Sequence, residues 1–214
     1  MKRMFFILLC ISIILNLYIL TNTNNSVMVY SNIDDNYLVL VNKYNGLDSN
    51  YEPNDLEEIT SSFNKGLNNR LRHDAKVSFE EMCSAALLDN IYLYSMSSYR
   101  AYGTQEYIYN KGIEENGIVE TEKTTARPGY SEHQLGLAVD INWISIKFEE
   151  TSEYNWLINN SYKYGFILRY PKDMEDITLY SYEPWHYRYV GKEVAFRIYN
   201  DNITFDEYYN KYLS

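Results

Sequence analysis

Apolar and polar positions divide the chain into an uncharged N-terminal run and a longer, periodic remainder. Lys2 and Arg3 precede the run from Met4 to Leu20 (MFFILLCISIILNLYIL), after which a polar TNTNNS stretch begins. As a helix this run reaches roughly 26 Å at about 1.5 Å per residue, slightly short of the roughly 30 Å hydrocarbon core of a bilayer. A basic start before a short apolar run is the pattern of an export signal. No small-x-small cleavage pattern follows Leu20, so an uncleaved anchor fits as well as a removed peptide. The positive residues come first, which directs the rest of the chain to the outer side. Residues 1–30 are therefore read as a signal peptide or membrane anchor with a polar linker, and residues 31–214 as one domain.

Within that domain the period changes midway. Residues 31–55 read as an irregular opening segment, with LVLVN a short apolar strand and Pro53 at a turn. Asn54 followed by Glu57 is a capping-box pattern and predicts a helix over about 55–72. Ser78 followed by Glu81 repeats it, and Phe79, Met82, Cys83, Ala86, Leu87, Ile91 and Tyr94 then recur at helical spacing. A shorter helix is predicted over Thr104–Lys111, ended by Gly112. Further on, LAVDINW (137–143) reads as a buried strand and TSEYNWLINNSYKYG as a helix closed by Gly165. FILRYP, ITLYSY and WHYRYVG read as strands of a small, mostly antiparallel sheet. Two short helices finish the chain, the second capped by Thr204 with Glu207. Helices early and strands late imply an α+β domain.

Composition narrows the function classes. The net charge of −10 argues against nucleic acid as a partner, because phosphate binding needs clustered Lys and Arg. Cys10 lies in the apolar run and Cys83 in the domain, so no disulfide forms within the domain; Cys83 reads as a small packed hydrophobe. The sequence leaves the oligomeric state open.

Candidate chemistry gathers around two of the three histidines. His133 stands in PGYSEHQLGLAVD, seven residues before Asp140, and His186 in YEPWHYRYVG, three after Glu183. Two imidazoles and one carboxylate suit zinc and leave a fourth tetrahedral position for water. A loop turning into a strand can bring His133 and Asp140 together, with Gly136 and Ala138 letting the backbone pass close to the metal. A three-residue offset on a strand points to opposite faces, so Glu183 and His186 can share a site only through a turn or bulge near Pro184. Glu183 is the candidate base for a metal-activated water. Arg100, in SMSSYRAYGTQ, offers a cation for a carboxylate or a developing oxyanion. Taken singly, each residue also has a structural reading: buried histidines, a surface ion pair at Arg100, core aromatics at Tyr99, Trp185 and Tyr189.

The blocks LVNKYNGLDSNYEPNDL (40–56), SSYRAYGTQ (97–105), PGYSEHQLGLAVDIN (128–142), WLINNSYKYGFILRYP (156–171) and YEPWHYRYVG (182–191) cover most of residues 40–210. In this order they resemble the VanY-type D-alanyl-D-alanine carboxypeptidases and the related L,D-carboxypeptidases. S-x-H-x-x-G-x-A-x-D and E-x-W-H are specific in combination. The resemblance implies a compact α+β domain whose small antiparallel sheet carries Zn2+ on His133, Asp140 and His186, with Glu183 catalytic. It implies that Arg100 contacts substrate, and that Ser98, Tyr99, Gln105 and Ser131 line the pocket. The usual Ser-Gly-Tyr-Arg is here Ser97-Ser98-Tyr99-Arg100, a change that touches no metal ligand. The implied partner is a peptidoglycan stem peptide, met outside the membrane of a bacterium and losing its terminal D-alanine. Two alternatives stand beside this D,D-activity: an L,D-carboxypeptidase acting on tetrapeptides, and a zinc-stabilised module that binds wall peptide without cleaving it.

Overall fold

Along the residues described in the computed structural model (28–30, 37–66 and 69–214), short strands alternate irregularly with helices. In chain order they are β1 (Met28–Tyr30), β2 (Asn45–Leu47), β3 (Leu56–Glu58), β4 (Arg70–Arg72), α1 (His73–Leu88), β5 (Ser95–Ser97), α2 (Tyr102–Asn116) and α3 (Ile118–Thr124). They continue as β6 (Ala138–Ile141), α4 (Ser152–Asn160), β7 (Phe166–Leu168), α5 (Glu175–Thr178), β8 (His186–Tyr189), α6 (Lys192–Asp201) and α7 (Phe205–Tyr212). The central sheet runs β5-β6-β8-β7 with every pairing antiparallel. β3–β4 is an antiparallel pair and β1–β2 a parallel one. The arrangement is α+β, but strands and helices are interspersed along the chain, not segregated into early helices and late strands.

Strand alternation gives the central sheet two different faces. Val139 and Ile141 of β6 and Tyr187 and Tyr189 of β8 join the core formed with α1, whose buried Ala75, Phe79, Met82, Cys83 and Ala86 follow the helical period. The Phe79 and Phe166 rings meet edge to face at 6.1 Å between centroids, a favoured aromatic geometry. The alternate residues, Asp140 and His186, point the other way. Beyond them a second cluster packs Leu40, Ile167, Val190, Ala195, Ile198, Phe205 and Tyr208, joining β7, α6 and α7. The sheet therefore carries an apolar core on one face and polar residues on the other.

Cys83 is 1% exposed, and burial pushes its thiol well above the usual cysteine range. A thiol reagent at pH 8 is expected to leave Cys83 unlabelled in the folded protein and to modify it once denatured, as peptide mapping would show. Labelling at equal rates in both states would contradict this packing.

Several sequence expectations are corrected. The helix predicted over 55–72 is a hairpin, β3 paired with β4 with Leu56 opposite Arg72. Asp55 takes the Arg72 guanidinium at 2.8 Å, and Glu57 pairs with His73 at 2.6 Å, so these carboxylates join the strand pair to α1 and cap no helix. Helix α1 accordingly begins at His73, and Ser78 lies buried inside it. LVLVN forms no strand: the Tyr37 and Val39 carbonyls accept from Arg188 at 2.8 and 3.1 Å, a guanidinium serving where a strand would. ITLYSY forms no strand either, because α5 ends with Leu179 at φ +68°. Gly112 does not stop α2; a Cβ there would come within 2.9 Å of Thr121 on α3, so the glycine permits close helix packing. Gly165 does close its helical segment at φ +83°, and Thr204 and Glu207 make the full capping box. The predicted export segment lies outside the described residues apart from Met28–Tyr30. Among the described residues no helix is long and apolar enough to cross a membrane.

Candidate active site

Three segments converge on the polar face of the central sheet. Asp140 on β6 is paired with His186 on β8 and, across its other edge, with Ser97 on β5. Register alone thus puts the carboxylate beside the imidazole. His133 arrives from a 3-10 turn, Glu132–Leu135, capped by Ser131, whose hydroxyl accepts from the His133 N–H at 3.4 Å. Gly136 ends that turn at φ +66°, a conformation that favours glycine. A Cβ at this position would strike Leu56 and Arg72, so the close approach Gly136 allows is to the β3–β4 pair and not to a metal. Before β8, the His186 N–H bonds the Glu183 carbonyl at 3.1 Å, closing a turn over Pro184 and Trp185. Proline at the second position of such a turn is favoured, and the turn brings Glu183 and His186 to one side despite their three-residue offset.

Two imidazole nitrogens and a carboxylate gather closely enough to share one metal ion. His133 Nε2 lies 3.4 Å from Asp140 Oδ2, and His186 Nδ1 lies 3.3 Å from Asp140 Oδ1. The two contacts end on different oxygens of Asp140, so only one of them can be an edge of a tetrahedron built on a single carboxylate oxygen. In such a tetrahedron, bonds of roughly 2.0–2.1 Å to zinc require edges of about 3.3–3.4 Å. All three donors fall within 4.8 Å of one another, and the buried Asp140 Oδ1 has no hydrogen-bond partner among the described residues. His133 Nδ1 is 2.7 Å from the Ser98 carbonyl, which fixes the proton there and leaves the Nε2 lone pair free.

The two histidines differ electrostatically. Burial would lower His186, but the carboxylates of Asp140 and Glu132 raise it to about 9, so metal binding at Nδ1 must displace a proton. Burial and the nearby Arg100 hold His133 below its usual value, hence neutral. Burial alone would raise the Asp140 carboxyl, but the imidazoles of His133 and His186 keep it well below the usual carboxylate range. Glu183, 3.5 Å from His186, is pushed up to about 8 by burial against the pull of that histidine. A carboxyl that exchanges its proton near neutrality is suited to general acid–base work. Arg100 is fixed by Ser97 Oγ at 2.9 Å and Gln105 Oε1 at 2.8 Å, and stands 3.8 Å from Asp140.

These groups line a cleft of about 310 Å³, whose other walls include Ile108, Ile144, Tyr170, Tyr180 and Trp185. Gln105 and Ser131 line it as well; Gln105 also donates to the Ala126 carbonyl at 2.7 Å. Ser98 and Tyr99 are not in its lining. Ser98 lies buried and supports His133 through its carbonyl, while Tyr99 packs beneath the Arg70 guanidinium at 5.0 Å.

Sequence reasoning missed a buried ionic group behind His186. Glu132 Oε1 accepts from Arg169 Nε at 2.7 Å and Arg188 Nη1 at 2.9 Å, and Arg169 Nη1 reaches Asp206 at 2.5 Å. Arg188 could have been found, since a strand places it on the face of His186 two residues away. Glu132, Arg169 and Asp206 carry no local signal, because their partners lie 37 residues apart.

The family described as VanY, D-alanyl-D-alanine carboxypeptidase, matches residues 68–192. YodJ of Bacillus subtilis (strain 168) is 42% identical over 186 residues, covering 83% of this chain and 68% of that protein. A D-alanyl-D-alanine carboxypeptidase of Enterococcus faecalis is 40% identical over 184 residues, 81% of this chain and 65% of its own length. Among solved structures, the LD-carboxypeptidase LdcB superposes with a TM-score of 0.77 at 36% identity, covering 88% of this chain and 96% of that one. A zinc-bound mutant of the D,D-pentapeptidase VanY from a VanB-type resistance cassette gives 0.70 at 36% identity, over 80% and 98%. VanYB in complex with D-alanine-D-alanine gives 0.71 at 37% identity, over 82% and 98%.

Proposed function

Because the chain belongs to the VanY family of D-alanyl-D-alanine carboxypeptidases, we propose that it hydrolyses the terminal D-alanine from peptidoglycan stem peptides in the cleft that holds His133, Asp140 and His186. It is a metallocarboxypeptidase, and zinc is its cofactor. His133 Nε2, His186 Nδ1 and one Asp140 oxygen would hold the ion. Bound there, zinc supplies a Lewis acid that polarises the scissile carbonyl and makes water acidic near neutral pH.

The protein's own groups do the rest. Glu183 takes a proton from the attacking water and returns one to the departing D-alanine nitrogen as the peptide C–N bond breaks. Arg100, held by Ser97 and Gln105, faces the substrate carboxylate or the oxygen that gains charge during attack. Ile108 and Ile144 offer apolar wall to alanine methyl groups. One juxtaposition carries this reading: two imidazoles and a carboxylate close enough to share an ion, the buried Glu183 carboxyl and a fixed guanidinium open into one cleft. The polymer lies outside the membrane, and residues 1–30 as an export segment or anchor supply the route to it.

Cleavage of tetrapeptide stems is the second reading, favoured by the likeness to the LD-carboxypeptidase LdcB over nearly all of that chain. Zinc-loaded protein incubated with pentapeptide and tetrapeptide stems, read by mass spectrometry, separates the two. Loss of one D-alanine from the pentapeptide alone is the expected result. Loss from the tetrapeptide moves the protein to the L,D-group, and cleavage of neither by folded, zinc-loaded protein favours a binding module.

A further inference from the structure

We propose that Glu132 is a positioning residue for His186: its free oxygen accepts a hydrogen bond from the Nε2–H and keeps the proton there, so that Nδ1 presents its lone pair to the metal. This rests on the zinc site described above, though on neither of the substrates proposed for it.

His186 has two distinct ends. Nδ1 faces Asp140 at 3.3 Å and Glu183 at 3.5 Å, which makes it the nitrogen within the ligand cluster. Nε2 faces the opposite way, 3.6 Å from Glu132 Oε2. Both Nε2 and Oε2 are buried and without a hydrogen-bond partner among the described residues. Buried polar atoms are rarely left unmatched. Here two such atoms confront one another, and an approach of a few tenths of an ångström joins them. The bond requires the proton on Nε2, and a neutral imidazole protonated there has its lone pair on Nδ1. His133 is set by the same logic with its nitrogens exchanged, through the Ser98 carbonyl.

The other oxygen of Glu132 explains why the carboxylate stays where it is. Arg169 and Arg188 both donate to Oε1. Arg169 is held in turn by Asp206 on α7, and Asp206 by Asn42 at 3.3 Å. Arg188 is held by the Tyr37, Val39 and Tyr189 carbonyls. A purely structural ion cluster would need only the oxygen facing the arginines. The second oxygen, aimed at a metal ligand, is what that account leaves without a use.

Glu132→Gln keeps the shape and removes the charge. If the amide oxygen stays with the arginines, the NH2 group faces His186 and selects the tautomer with Nδ1 blocked. If it turns round, the NH2 group confronts two guanidinium ions. Either way zinc affinity, measured by competition with a chromophoric chelator, is expected to fall roughly 10–100-fold. A folded Glu132→Gln protein binding zinc within about twofold of the parent overturns the proposal. Should this variant not fold, 15N-histidine NMR of the zinc-loaded parent decides the matter. One imidazole is expected to coordinate through Nε2 (His133) and one through Nδ1 (His186), with a proton retained on the His186 Nε2. Coordination of both histidines through Nε2 refutes the role of Glu132. Failure of the parent to bind one zinc would instead overturn the metal site itself.

Discussion

Glu183→Gln is expected to lower kcat by roughly 10²–10⁴-fold while zinc stays bound. Glutamine fills the same space but cannot accept the proton of the attacking water. Glu183 lies outside the His133–Asp140–His186 donor set, so metal content should be unchanged. Burial places its carboxyl at about 8, within the range where one group can both take and return a proton. Steady-state kinetics on a stem peptide, paired with metal analysis of the same sample, makes the test. A fall of less than about tenfold with full zinc occupancy would remove Glu183 as the base. Loss of the metal would make it a ligand instead.

Arg100→Met should cost roughly 10²–10³-fold in kcat/KM, the range found when one donor to a developing oxyanion is removed. Methionine keeps much of the apolar stem, so packing around α2 should survive. The way the loss divides between kcat and KM then distinguishes the two duties open to this guanidinium. A fall mainly in kcat identifies a group that acts on the transition state, and a rise mainly in KM one that binds the substrate carboxylate throughout. Activity within threefold of the parent would leave Arg100 with neither. Arg100→Lys should rescue poorly, because a single ammonium on a flexible stem does not reproduce the fork held by both Ser97 and Gln105.

Much of this site was legible in the sequence because its chemistry is written in short blocks. His133 with Asp140, and Glu183 with His186, are each close in the chain, and the glycine and proline between or beside them signal the turns. Ser98 and Tyr99 illustrate the limit: they share a block with Arg100, yet one turns its carbonyl to His133 and the other packs against Arg70. The supporting group of Glu132, Arg169, Arg188 and Asp206 was not legible, since it joins a turn, two strand regions and a C-terminal helix across long separations. Among the elements, α7 was found through a real capping box of Thr204 and Glu207, whereas Asn54 and Glu57 offered a similar pattern to a hairpin. There the carboxylate met His73 and Lys76, and tertiary charge pairing outweighed a local helix signal. A run such as ITLYSY reads as strand by residue type, but its tyrosines are buried without a neighbouring strand to bond among the described residues.

The pairing of Asp140 with His186 ties enzyme activity to a single count of residues along two strands. Because side chains alternate, a slip of β8 by one position would turn the imidazole into the apolar core and bring Tyr187 opposite the carboxylate. Such a molecule would be compact and inert, not a weak catalyst. Errors in folding should therefore appear as a smaller number of working copies, each at full rate, and counting occupied zinc sites in a preparation would amount to counting correctly threaded sheets.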